Sequence, residues 1–104
     1  MFDKLFEAKQ KAEELKKRLD GITVTGTAEG GLITVTATAN KAVQSISIDE
    51  EFLKSADKEE LEELIVVAIN KALEQAENIN QSEMAALSRD MLGGIGGLGS
   101  LFGK

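Results

Sequence analysis

The stretch Val43-Gln-Ser-Ile-Ser-Ile-Asp-Glu-Glu-Phe-Leu53 joins two kinds of secondary structure. Isoleucine and serine alternate up to Ile48, which is the period of a strand with one apolar face, and this predicts Ile46 and Ile48 on the buried side. Asp49 then provides the N-cap of a short helical turn that reaches Leu53. The stretch therefore separates a helix and a sheet before it from a long helix after it.

Two further strands with the same period precede this stretch. Each alternates apolar residues with threonine, and the turn Glu29-Gly30-Gly31 separates them. A second turn at Asn40-Lys41, where asparagine tolerates a positive φ, leads into the third strand. The pattern predicts a three-stranded antiparallel meander with a threonine face and an apolar face. The apolar face consists of Ile22, Val24, Ile33, Val35, Ala37, Ile46 and Ile48.

A long helix is predicted from about Lys58 to Asp90, because apolar residues recur there at helical spacing. A helix of this extent is roughly 50 Å long, whereas a 100-residue globule has a radius of gyration of about 13 Å. Its second half, with Ile79, Met84 and Leu87, is therefore expected to overhang the sheet. A second copy of the chain would cover the overhang most economically, which predicts a homodimer.

The first helix is predicted from Asp3 to Asp20, with Gly21 as a left-handed C-terminal cap. Its apolar stripe is narrow, and cations flank the stripe on both sides. The stripe consists of Leu5, Ala8, Ala12, Leu15 and Leu19, and the flanks carry Lys4, Lys9, Lys11, Lys16 and Arg18.

Composition argues against an enzyme. The chain has no cysteine or histidine, so thiolate and imidazole nucleophiles and the usual zinc ligands are excluded. The carboxylates cluster at predicted helix N-termini, where capping and the helix dipole favour them without any catalytic role. We therefore expect no catalytic site, no metal, no cofactor and no small-molecule substrate.

The chain is expected to be a single domain over residues 1–90, followed by a flexible glycine-rich tail over residues 91–104. No window approaches the roughly 18 apolar residues that span a bilayer, so no membrane association is expected. The absence of cysteine fits the cytoplasm.

Charge is distributed unevenly along the chain. Residues 1–20 carry six cations and five anions, whereas residues 49–90 carry four cations and twelve anions. The surface best suited to a polyanion such as double-stranded DNA is therefore the first helix, whose candidate phosphate contacts are Lys9, Lys11, Lys16, Lys17 and Arg18. The alternative is a protein-interaction dimer in which these cations pair internally with acids of the long helix, namely Glu62, Glu63, Glu74 and Glu77.

Three stretches resemble the YbaB/EbfC family of small bacterial nucleoid-associated proteins. Residues 24–35, VTGTAEGGLITV, are similar to the family's Val-x-Gly and Gly-Gly-Leu-Val-x-Val hairpin, and residues 43–53 to its strand that ends in Ile-Asp. Residues 63–72, ELIVVAINKA, are similar to its Asp-Leu-Val-x-Ala-Ala-x-Asn-x-Ala segment.

The resemblance implies an intertwined α+β homodimer that lies in the nucleoid, binds DNA and has a capacity to alter DNA conformation. It attributes DNA contact largely to the projecting N-terminal helices, and so to Lys9, Lys11, Lys16, Lys17 and Arg18.

Overall fold

A computed structural model of the protein describes the backbone of residues 2–94 and the side chains of residues 4–90. Its elements follow the chain as α1 (Phe2–Asp20), β1 (Thr23–Ala28), β2 (Ile33–Thr38), β3 (Val43–Ile48), α2 (Glu50–Ser55) and α3 (Lys58–Gly94). The strands form one antiparallel sheet in the order β1-β2-β3.

This architecture confirms the predicted α+β class and the predicted order of elements. The predicted tail begins inside α3, which runs on to Gly94. The rest of that prediction, residues 95–104, lies outside the described residues. None of the helices between residues 2 and 94 combines the length and the apolar content needed to cross a bilayer.

Helix α3 covers the apolar face of the sheet through a stripe of small residues. Ala68, Ala72 and Ala76, spaced one turn apart, are fully buried against the core side of β1 and β2. Small side chains let the helix backbone come close to the strand, and the closest approach is at Gly26 of β1. A Cβ atom added to Gly26 would lie 3.0 Å from the Ala72 Cα and closer still to backbone atoms of Ala68 and Ala72.

Strand β3 keeps its apolar face but lacks a cover. Ile46 is paired with Val35 and Ile48 with Ile33, so both isoleucines lie on the core side of the sheet. Because α3 packs mainly over β1 and β2, the Ile46 side chain remains 44% exposed, while Ile48 is half-buried. The prediction of a buried Ile46 is therefore wrong for the single chain, although the predicted strand face is right.

A β-bulge extends this uncovered face. Thr36 is paired with Ser45 but Ala37 with Val43, which leaves Gln44 as the extra residue of β3. With regular alternation Gln44 would share the core side with Ile46. The extra residue places Val43 there instead. Val43 is 43% exposed.

Helix α1 packs on the overhanging half of α3 within the same chain. Leu15 and Leu19 are buried there, together with the partly buried Ile79 and Leu87. Because α1 folds back antiparallel to α3, it partly covers Ile79 and Leu87 within the single chain, whereas Met84 remains 48% exposed. That a second copy covers the rest of this stripe stays a prediction. The first half of α1 extends beyond this contact, and the molecule measures 63 × 28 × 17 Å.

The turn between β2 and β3 holds the end of α1 in place. The Asn40 Nδ2 atom donates to the Lys16 carbonyl at 2.8 Å and to the Asp20 Oδ1 at 2.6 Å. The residue with positive φ in this turn is Lys41, not Asn40.

The predicted left-handed cap at Gly21 is also wrong. Among the described glycines, positive φ occurs at Gly30 and Gly31. Helix α1 instead ends in a tightened turn, in which the Gly21 amide donates to the Arg18 carbonyl at 3.0 Å.

Candidate nucleic-acid interface

The five predicted DNA-contacting cations are all exposed on α1, but they do not share one side of it. A separation of seven residues is close to two helical turns, so Lys9 lies above Lys16, and Lys11 lies above Arg18. The buried stripe formed by Leu15 and Leu19 runs between these two pairs. Lys17 lies on the side of α1 that faces away from α3.

The side with Lys11 and Arg18 is an acidic environment. Both residues line a groove of about 400 Å³ between α1 and α3, together with Glu14, Glu83 and Asp90. The Arg18 guanidinium forms an ion pair with the Glu83 carboxylate. A phosphate approaching this groove would meet more carboxylates than cations.

The opposite and outer sides carry Lys9, Lys16 and Lys17. Among the residues with described side chains, ion pairs join Arg18 to Glu83, Lys41 to Glu77 and Lys58 to Glu62, and none of these involves the lysines of α1. We call Lys9, Lys16 and Lys17 the free lysine set. Three acidic residues line the surface around Lys16 and Lys17, namely Glu13, Glu14 and Asp20. They form no ion pair with these lysines, so the ammonium groups remain available to an external anion.

Two of the four acids predicted to neutralise α1 pair with lysines outside α1, and among the described side chains the other two, Glu63 and Glu74, form no ion pair. Glu62 pairs with Lys58 of its own helix, at 3.9 Å. Glu77 binds Lys41 and accepts a hydrogen bond from Gln81 at 2.7 Å, and the hydrogen bond from Lys41 holds the pKa of the Glu77 carboxyl below its ordinary value.

Internal pairing of the five candidate cations therefore occurs only at Arg18 within the described part of the chain, and through Glu83. Sequence reasoning missed Glu83 because it did not place α1 alongside the overhang of α3. The spacing of Leu15 and Leu19 matches that of Ile79, Glu83 and Leu87, which is the signal for this packing.

The acidic residues near the starts of α2 and α3 have structural roles. The Asp49 Oδ2 atom accepts a hydrogen bond from the Phe52 amide at 3.0 Å, which confirms the predicted N-cap of α2. Glu59 and Glu60 lie in the first turn of α3, where the helix dipole favours them. Within the described residues, no three carboxylates converge as ligands for a metal ion.

Fold and surface together define a small α+β protein that presents a lysine-bearing helix on an elongated frame. The chain belongs to the YbaB/EbfC DNA-binding family, whose sequence model matches residues 1–91. The resemblance drawn from residues 24–35, 43–53 and 63–72 is thereby confirmed.

Relatives of similar length match nearly the whole chain. A nucleoid-associated protein of Flavobacterium johnsoniae is 43% identical over 102 residues, which cover 98% of this chain and 94% of the relative. A nucleoid-associated protein of Thermodesulfovibrio yellowstonii is 42% identical over 109 residues, covering 100% of this chain and 96% of the relative.

The fold also matches a solved structure. The crystal structure of an uncharacterized protein from Helicobacter pylori superposes with a TM-score of 0.69 at 22% sequence identity, covering 85% of this chain and 88% of that one. At this level of identity the match supports the fold.

Proposed function

We propose that the protein is a homodimeric, nucleoid-associated protein of the cytoplasm that binds double-stranded DNA through phosphate contacts and alters DNA conformation. The observation that carries this proposal is the free lysine set, which is exposed on the sides of α1 away from its groove with α3. Membership of a DNA-binding family and the names of the relatives support it.

The charge distribution favours one orientation on DNA. Residues 49–90 carry twelve anions and four cations, so α2 and α3 repel a polyanion, whereas the free lysine set attracts it. Lysine ammonium groups are point charges that bind phosphate with little dependence on base sequence. We therefore assign DNA contact to Lys9, Lys16 and Lys17, with a smaller contribution from Lys11 and Arg18 because of their acidic groove.

The salt dependence of binding tests this assignment. If all three free lysines of both subunits contact phosphates, a plot of log affinity against log salt should have a slope of up to about −5. Each neutralised phosphate contributes roughly −0.9 to this slope. Fluorescence anisotropy of a labelled duplex at increasing salt measures the slope, and two unrelated duplex sequences should give similar values. Absence of binding at low salt would refute the proposal.

The uncovered face of β3 supports the homodimer. Val43 and Ile46 are large apolar residues, each more than two-fifths exposed, on the core side of an edge strand that α3 does not cover. Burial of apolar surface of this kind contributes about 25 cal/mol per Å², and a second copy offers the same strand in return. We propose that β3 lies at the subunit interface.

Substitution of Ile46 by aspartate should disrupt this interface. The chain mass is 11.1 kDa, so light scattering after size exclusion should give about twice that mass for the unmodified protein and about that mass for Ile46→Asp. Ser47→Asp is the matched control, because Ser47 lies on the opposite face of the same strand. An unmodified protein that is monomeric, or equal masses for the two variants, would contradict this interface.

The second candidate function is a protein-interaction dimer whose basic helix pairs internally. The ion pair between Arg18 and Glu83 is the observation that favours it. This alternative predicts that the dimer persists but that duplex DNA does not bind at low salt, so the anisotropy measurement separates the two functions.

A further inference from the structure

Two large apolar side chains are exposed on the extended half of α1. Leu5 is 69% exposed and Phe6 is 62% exposed, the highest values among the exposed large apolar residues of the described side chains. They precede the first buried contact of α1 with α3, at Leu15, by more than two helical turns. Neither residue contributes to the core of the single chain.

The end of α3 lies at the level of these residues. The helices run antiparallel, with Arg18 paired to Glu83 and with Lys11 and Asp90 lining the same groove. Both helices continue beyond that groove, α1 towards Phe2 and α3 to Gly94. Because both rise about 1.5 Å per residue, Gly94 is brought level with the turn of α1 that contains Leu5 and Phe6.

The chain that follows Gly94 has the composition to cover an apolar patch. Residues 95–104 read IGGLGSLFGK, with four large apolar side chains and Lys104 as the only charged side chain. Ten residues span up to about 33 Å, so the segment reaches Leu5 and Phe6 from Gly94 with chain to spare. Since the segment is tethered beside the patch, its effective concentration there is in the millimolar range, above that of a second molecule in dilute solution.

We propose that residues 95–104 dock on Leu5 and Phe6 of the same chain, with Leu101 and Phe102 as the contacting side chains. This contact would cover the apolar patch of α1 without a partner molecule.

A spin label tests the docking directly, because the chain has no cysteine and Ser100→Cys provides a unique attachment site. The labelled, isotopically enriched chain is mixed with an excess of unlabelled chain, so that broadening of amide signals reports contacts within one chain. We expect strong broadening at Leu5 and Phe6 and none at Leu53 of α2.

Tethering alone would bring the label near α1 at times, so the matched variant carries Leu101→Ser and Phe102→Ser in addition. Docking predicts several-fold weaker broadening at Leu5 and Phe6 in this variant. Equal broadening in the two proteins would overturn the proposal. Broadening that appears only when the label and the isotope are on different chains would also overturn it, since the segment would then dock on a second copy.

Discussion

Replacement of Gly26 by alanine should lower the free energy of unfolding by about 3 kcal/mol, at the upper end of the range for an extra methyl group in a packed core. The added Cβ would collide with the Ala68 carbonyl oxygen and with the Ala72 amide nitrogen and Cα. These are backbone atoms of α3, which no change of rotamer can move. The helix would have to separate from β1, and the burial of the Ala68, Ala72 and Ala76 stripe would be lost with it.

Urea unfolding, at one fixed protein concentration because a dimer's stability depends on it, measures this effect. Gly21→Ala is the matched control: its added Cβ would lie 3.5 Å from the Arg18 carbonyl oxygen, an ordinary contact, and the Gly21 backbone is not left-handed. The control should change the free energy of unfolding by no more than about 1 kcal/mol. Similar losses of unfolding free energy in the two variants would show that the close approach of α3 to Gly26 is not the cause of the destabilisation.

Local patterns predict the elements and faces of this fold well. The alternation around Val24, Val35 and Ile48 follows from the period of a strand, and the cap at Asp49 depends on residues only three positions apart. The close approach at Gly26 has a sequence signal too, because a glycine within a strand and alanines one turn apart in a helix allow two backbones to meet.

Long-range packing could not be predicted from the same patterns. A periodic strand indicates which face is apolar, but it does not indicate how many strands one helix covers, and this is why Ile46 remains exposed. The overhang of α3 gave no information on whether a second chain or α1 would cover Leu87.

The candidate site was likewise predictable in part from local patterns and in part not. The helix that carries the cations follows from sequence, whereas the availability of each cation depends on how Leu15 and Leu19 orient α1 against α3. That orientation turns Arg18 towards Glu83 and leaves Lys16 free.

Reversal of the free lysine set should have the largest effect on DNA binding. In the variant Lys9→Glu, Lys16→Glu, Lys17→Glu, each subunit loses three phosphate contacts and gains three repulsive charges. Affinity for duplex DNA at low salt should fall by about a hundredfold or more, because each neutralised phosphate contributes to counterion release. The salt dependence of the remaining binding should be much weaker than that of the unmodified protein. Anisotropy measures both quantities.

The matched control is the variant Lys54→Glu, Lys58→Glu, Lys71→Glu. It changes the net charge of the protein by the same amount as the α1 variant, but the changes lie on α2 and α3. Its three lysines are exposed, and the ion pair of Lys58 with Glu62 is a surface pair of small energetic value. The control should weaken binding only through the long-range field and should keep most of the salt slope. Equal losses in the two triple variants would mean that total charge, rather than α1, determines DNA affinity.

Single reversals separate the two sides of α1. Lys16→Glu should weaken DNA binding more than Lys11→Glu, because Lys16 belongs to the free lysine set while Lys11 lies in the groove with Glu83 and Asp90. Arg18→Glu would also break the ion pair with Glu83, so its effect on folding has to be measured alongside. If Lys11→Glu proves as damaging as Lys16→Glu, the groove side of α1 also faces DNA. The dimer would then have to place both sides of each α1 helix against the duplex.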